Sequence, residues 1–106
     1  MLTIVETPSF STLWPDYWTD DELGEFCFWL AAHPDTGEVI RGSGGCRKVR
    51  WSVAGRGKRG GVRVIYFCQL EDGEIWLLTM YAKSARESIP ASTLRKIRES
   101  IHGKDE

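Results

Sequence analysis

No Lys or Arg occurs in the first 40 residues of this chain, although the same stretch holds eight Asp or Glu. A secretory leader needs a cationic start ahead of a long apolar core, so MLTIVETPSF is not expected to be one. Histidine is nearly as scarce, with His33 and His102 alone in 106 residues. Both fall at expected helix ends, where a cation favours the C-terminal dipole, and neither has a Cys or acidic cluster nearby. Metal chemistry and cofactors are therefore not expected. The three cysteines, Cys27, Cys46 and Cys68, are odd in number and lack any CxxC spacing. That argues against a disulfide framework or a zinc site and for small buried thiols. No apolar run approaches the ~20 residues of a membrane-spanning helix. These absences describe a chain expected to be soluble and cytoplasmic, with no membrane partner. Its length suits one domain over residues 1–106, the last few forming a flexible tail.

What is present is a separation of charge. The net charge is only −1, yet residues 41–63 carry eight of the fourteen Lys and Arg and no acid. Folding that does not interleave the two halves leaves one negative surface and one positive one, and the positive one suits a polyanion. Five Trp supply large side chains for a core.

The element order follows from local chemistry. LTIVE alternates and reads as a short strand. Thr7-Pro8 begins a helix with Pro at its first position, and Pro15 breaks it near Trp14. Thr19 with Glu22 makes a capping box, and Leu23, Phe26, Cys27 and Leu30 form the buried stripe of the helix that follows. Pro34 ends that helix. DTGEVIRGSGG reads as a polar, Gly-rich loop. CRKVRWSV, GVRVIYFCQL and EIWLLTMYAK read as three strands, the last two joined through Glu71-Asp72-Gly73. A final helix runs from Pro90 to Ile101 with Leu94, Ile97 and Ile101 on one face. The expected class is α+β, a small antiparallel sheet carrying two N-terminal helices and one C-terminal helix.

Strand parity then locates the cations. Lys48 and Arg50 share a face, with Val49 and Trp51 on the other. Arg63 lies with Ile65 and Phe67, opposite Val62, Val64 and Tyr66. Tyr81 and Lys83 lie together near the end of the third strand. If the strands are neighbours, Lys48, Arg50, Arg63, Tyr81 and Lys83 converge, and Arg56, Lys58 and Arg59 extend the patch. The plainer alternative is a solvated face or a guarded sheet edge. Like charges on neighbouring strands repel, however, and no acid in the segment offsets them. GRGKRGG is not a nucleotide phosphate loop: Ser52 stands where the first Gly belongs, and Arg59 replaces the Ser or Thr after Lys58.

SGGCRKVRW, GRGKRGGVRVIYF and IWLLTMYAK resemble the signature of the RelE/HigB-type toxins of type II toxin–antitoxin systems, in the RelE/ParE superfamily. The resemblance extends over residues 1–101 and is most specific from 43 to 83. It implies a microbial-RNase-like fold and a metal-independent endoribonuclease that cuts mRNA at the ribosome and so inhibits translation. It also implies a cognate antitoxin, helix-turn-helix and HigA-like for HigB-type toxins, which alone contacts operator DNA. Carried over, Lys48 and Arg50 match the paired bases of the family's first hairpin strand. Arg63 matches the Arg of its Gly-x-Arg-x-x-Tyr segment, which Tyr66 completes. Lys83 stands at the last-strand cation, as Lys rather than Arg. The family's C-terminal tyrosine has no counterpart, and Tyr81 takes its stacking role. Arg47, Trp51, Arg56, Lys58, Arg59 and Tyr66 are the expected RNA-binding residues.

Such chemistry needs neither His nor metal, because RNA carries its own nucleophile. The 2′-OH attacks the adjacent phosphorus, giving a 2′,3′-cyclic phosphate and a 5′-OH. Lys48, surrounded by like charges, is the expected base. Arg50 and Arg63 hold the phosphorane oxygens, Lys83 assists the leaving oxygen, and Tyr81 or Trp51 stacks a base. Two rival readings stand beside this one. A non-catalytic ParE-like toxin would act on DNA gyrase, and a plain nucleic-acid-binding module would bind without chemistry.

Overall fold

The computed structural model describes residues 2–52, 61–82 and 89–103, with backbone only for the last two. Strand β1 (Thr3–Glu6) leads into helix α1 (Pro8–Leu13), a 3₁₀ turn at Trp14–Asp16 and helix α2 (Asp20–Ala32). Strands β2 (Glu38–Val39), β3 (Arg47–Trp51), β4 (Val62–Gln69) and β5 (Glu74–Ala82) follow, then helix α3 (Ala91–Gly103). Thr7 caps α1 ahead of Pro8, and Thr19 and Glu22 form the reciprocal capping box of α2. Both caps satisfy amide groups that the first turn leaves without partners.

The five strands form one sheet in the order β1-β5-β4-β3-β2. The sheet is mixed rather than wholly antiparallel, because β1 runs parallel to β5, Thr3 lying beside Glu74. Two helices and three strands separate β1 from β5 in the chain, and a parallel partner needs such a long connection. Short strand β2 was also unexpected: it lies inside the stretch read as a loop and pairs antiparallel with β3. The β4–β5 turn is a 3₁₀ turn over Leu70–Asp72, ended by Gly73 at φ 67°.

Each face of the sheet has its own core. On one, Phe10, Trp18, Phe26 and Leu30 of the N-terminal segment pack against Val49, Val64, Tyr66, Ile75, Leu77 and Met80. On the other, Leu94 and Ile101 of α3 pack against Ile65, Phe67 and Leu78. Phe10, Phe26 and Leu30 are fully buried, each worth ~1.5–3 kcal/mol in area removed from water. Stacked Phe67 and Trp76, and Arg98 at 5.7 Å over the Phe67 ring, seat α3 at one end of its face.

One irregularity governs the other end. Ile65 pairs with Thr79 but Tyr66 pairs with Leu77, leaving Leu78 as an extra residue in β5. Leu78 and Thr79 therefore fall on the same side, and the alternation beyond them is reversed. Regular alternation through all of these residues would put Tyr81 on the side of Ile75 and Leu77. With the irregularity, Tyr81 joins the α3 face and Met80 joins the α1/α2 core.

Candidate functional site

Three of the expected site residues form a row across the sheet. Arg50 is the cross-strand partner of Arg63, and Arg63 is the partner of Tyr81. The next row holds Lys48, Ile65 and Thr79. Directly opposed residues bring their Cβ atoms to ~4.5–5.5 Å, so these side chains share one small area. Among the described residues, neither the Lys48 nor the Arg50 side chain makes an ion pair, and both are exposed. Lys83 and Arg56, Lys58 and Arg59 lie outside the described residues.

The cations form the floor of an open cleft of about 240 Å³ lined by Thr36, Gly37, Glu38, Lys48, Val49, Arg50 and Arg63. Its wall is the segment that ends in β2. Glu38 is the cross-strand partner of Lys48 and so points to the same side. Glu38 is a residue that reading the sequence missed. The signal was the pair of β-branched residues after it, Val39 and Ile40, in a segment that looked like a loop.

Three residues expected to touch RNA lie on the other side of the sheet from the cleft floor. Tyr66 is fully buried. Its hydroxyl donates to Pro34 O at 2.9 Å and accepts from Gly37 N–H at 3.0 Å. Burial pushes the Tyr66 phenol above its ordinary value, and the Gly37 hydrogen bond opposes that shift. Arg47 lies on the same side as Tyr66, away from the cleft floor, and its Nη1 donates to Gly37 O at 2.7 Å and Asp35 O at 3.2 Å. Trp51 also faces α2, its ring 4.9 Å from Trp29 and 5.3 Å from Phe26. Arg47 and Tyr66 are thus braces: from the far side of the sheet they fix residues 34–37, which carry Glu38 to the cleft.

Two glycines hold this geometry. A Cβ on Gly37 would stand 2.8 Å from Lys48 O and 3.1 Å from the Tyr66 hydroxyl, so only hydrogen lets β2 approach β3. Gly61, at φ 70°, starts β4 where a side chain would strike the Trp51 carbonyl. That approach sets Trp51 opposite Val62 and hence Arg50 opposite Arg63.

Among the described residues no group of His, Cys, Asp and Glu could hold a metal ion. Cys27, Cys46 and Cys68 are free thiols. The Cys27 pKa is raised to about 11, chiefly by burial and secondarily by Glu6. Burial raises Cys46 and Cys68 as well. No helix among the described residues is long and apolar enough to cross a membrane.

No protein-family model matches the chain. Solved structures do. The chain is similar to the toxin in the intact E. coli RelBE toxin–antitoxin complex, with TM-score 0.61 and 14% identity over 81% of this chain and 100% of that one. A free-state double Arg-to-Ala mutant of the E. coli toxin RelE gives TM-score 0.62 and 14% identity over 92% of this chain and 96% of that one. Isolated E. coli RelE gives 0.59 and 14%, over 92% and 99%. With nearly the whole of each neighbour matched and so few residues shared, what is common is architecture: this chain has the fold of the RelE toxins.

Proposed function

We propose that this chain is the toxin of a type II toxin–antitoxin system and acts as an endoribonuclease on ribosome-bound mRNA. The observation that carries the reading is the clustering of Lys48, Arg50 and Arg63 in one open cleft, with Tyr81 at the end of the Arg50–Arg63 row. Three cations on so small an area suit a polyanion: Glu38 offers one negative charge beside them, and an RNA phosphate supplies more.

In this reading the scissile phosphate lies over Arg50 and Arg63. Guanidinium groups grip two phosphate oxygens at once, and they hold the dianionic phosphorane more tightly than the ground-state monoanion. Lys48 adds a third positive charge beside them. Half-buried Tyr81 offers its ring to a neighbouring base, and Lys83 serves the leaving 5′ oxygen, as the family resemblance implies. Attack by the 2′-OH then yields a 2′,3′-cyclic phosphate and a 5′-OH without a metal.

The partner is a co-expressed antitoxin, of the helix-turn-helix, HigA-like kind by the same resemblance. Acidic side chains from such a protein would compete with RNA for the cleft.

Induction in cells without the antitoxin, followed by mapping of transcript 5′ ends, tests the function. New 5′-OH ends within translated messages, absent for Lys48→Ala/Arg50→Ala, are expected. Intact messages accompanied by damaged DNA would move the chain to the gyrase-directed class, and RNA binding without cut products would leave a binding module.

A further inference from the structure

The cleft floor carries positive charge, but positive groups do not solve the first chemical problem. The 2′-OH must lose a proton as it attacks. An ammonium has three donors and no acceptor, and a guanidinium has five donors and no acceptor. Lys48, Arg50 and Arg63 in their charged forms therefore bind the phosphate but take nothing from the nucleophile. Thr36 offers a neutral hydroxyl, a weak base. Among the described residues Glu38 is the one carboxylate lining the cleft, an acceptor with two oxygens in its ionised form.

Its placement is built rather than accidental. Glu38 lies directly across from Lys48 in the β2–β3 ladder. The loop leading to it is fixed by four hydrogen bonds, from the Tyr66 hydroxyl to Pro34 O, from Gly37 N–H to that hydroxyl, and from Arg47 to Gly37 O and Asp35 O. Gly37 is held against Lys48 O too closely for any side chain. A solvated surface glutamate needs no such support.

We propose that Glu38 is the general base of the cleavage reaction, in place of Lys48, whose role is to bind the phosphate. The assignment rests on the nuclease reading above. A Glu38 carboxylate oxygen takes the 2′-OH proton as the 2′ oxygen bonds to phosphorus. The P–O5′ bond breaks, and the 5′ oxygen leaves with a proton from water. The hydroxide so formed recovers the proton from Glu38, and the enzyme is returned unchanged. Lys48, Arg50 and Arg63 line the same cleft as Glu38, so among the described residues the other charged groups lining it are cations.

The test is single-turnover cleavage of mRNA on programmed ribosomes by the full chain, as wild type, Glu38→Gln and Glu38→Asp, across a range of pH. The Gln variant keeps the shape and removes the acceptor. Its maximal rate is expected to fall ~10²–10⁴-fold with KM little changed. Its rate should then rise steadily with hydroxide, whereas the wild type levels off. The Asp variant should recover part of the rate. Because Glu38 is exposed, all three should unfold at similar temperatures. A Gln variant that cuts at the wild-type rate with the wild-type pH profile overturns the assignment and leaves the nuclease reading standing. A loss confined to KM also overturns it, since that marks Glu38 as a binding group. A wild-type chain that cuts nothing removes the nuclease reading itself, and the base with it.

Discussion

Arg50 and Arg63 stand directly opposite each other across β3 and β4, on the side of the sheet that α3 leaves uncovered at this end. Like charges in that relation weaken a sheet, and the proposed nuclease reading gives the pairing a purpose. Replacing Arg50 with Gln is expected to leave the folding free energy unchanged or slightly improved in a denaturant titration. The same substitution should lower the cleavage rate ~10²–10³-fold. It should also flatten the salt dependence of single-stranded RNA binding by about 0.7 in log–log slope, the share of one phosphate contact. A variant that loses stability while keeping its rate would make Arg50 a structural residue.

Tyr66→Phe separates bracing from RNA contact. The change leaves the ring in place and removes a hydroxyl that serves two backbone groups, Pro34 O and Gly37 N–H. A buried amide left without its partner costs ~1–3 kcal/mol. Calorimetry should show that loss as a lower unfolding temperature. Affinity for RNA under conditions where both proteins are folded should be close to wild type.

Gly37→Ala attacks the same wall from the cleft side. The new methyl meets the Lys48 carbonyl at 2.8 Å, a backbone atom that cannot turn away. Pushing β2 off β3 should cost ~1–3 kcal/mol, as overpacking does. Cleavage should fall as well, because Glu38 moves away from Lys48. Amide hydrogen exchange at Lys48, whose backbone faces β2, reports the loosened ladder directly.

Alkaline pH tests the buried thiols. The Cys27 pKa is raised by burial from 9.0 to about 11, with Glu6 adding to the shift. An unfolded chain releases this proton near its ordinary value, whereas the folded chain retains it. The stabilising contribution is therefore whole below pH 9 and is lost as pH climbs towards 11. Stability should decline over that window, and Cys27→Ala should make the decline shallower. Alkylation by iodoacetamide at mildly alkaline pH should be slower in the native protein than in the unfolded one.

Much of the fold was legible because local chemistry and final structure agree. Thr7-Pro8, Thr19 with Glu22, and the stripe of Phe26 and Leu30 each carry their own signal, and each appears where expected. That Lys48, Arg50 and Arg63 share a face follows from strand parity once β3 and β4 are neighbours, since both are regular there. What escaped notice depends on contacts distant in sequence. β2 has two residues, too few for a periodic pattern, and exists because β3 offers it an edge. The parallel pairing of β1 leaves no local mark. Tyr66 fits an RNA-contact motif and a core position equally well, and only the loop folded over its hydroxyl distinguishes the two. Glu38 stands three residues ahead of the basic segment, in a polar stretch with no periodic pattern to mark it.

The extra residue Leu78 works like a change of gear midway along β5. Upstream of it, the strand sends alternate side chains into two oily layers. Downstream, the same alternation delivers an aromatic ring beside Arg63 instead of a thioether. A strand that kept all of these residues but ran without the bulge would set Met80 opposite Arg63 and turn Tyr81 towards the α1/α2 core, leaving the composition of that end intact on paper and inverted in space.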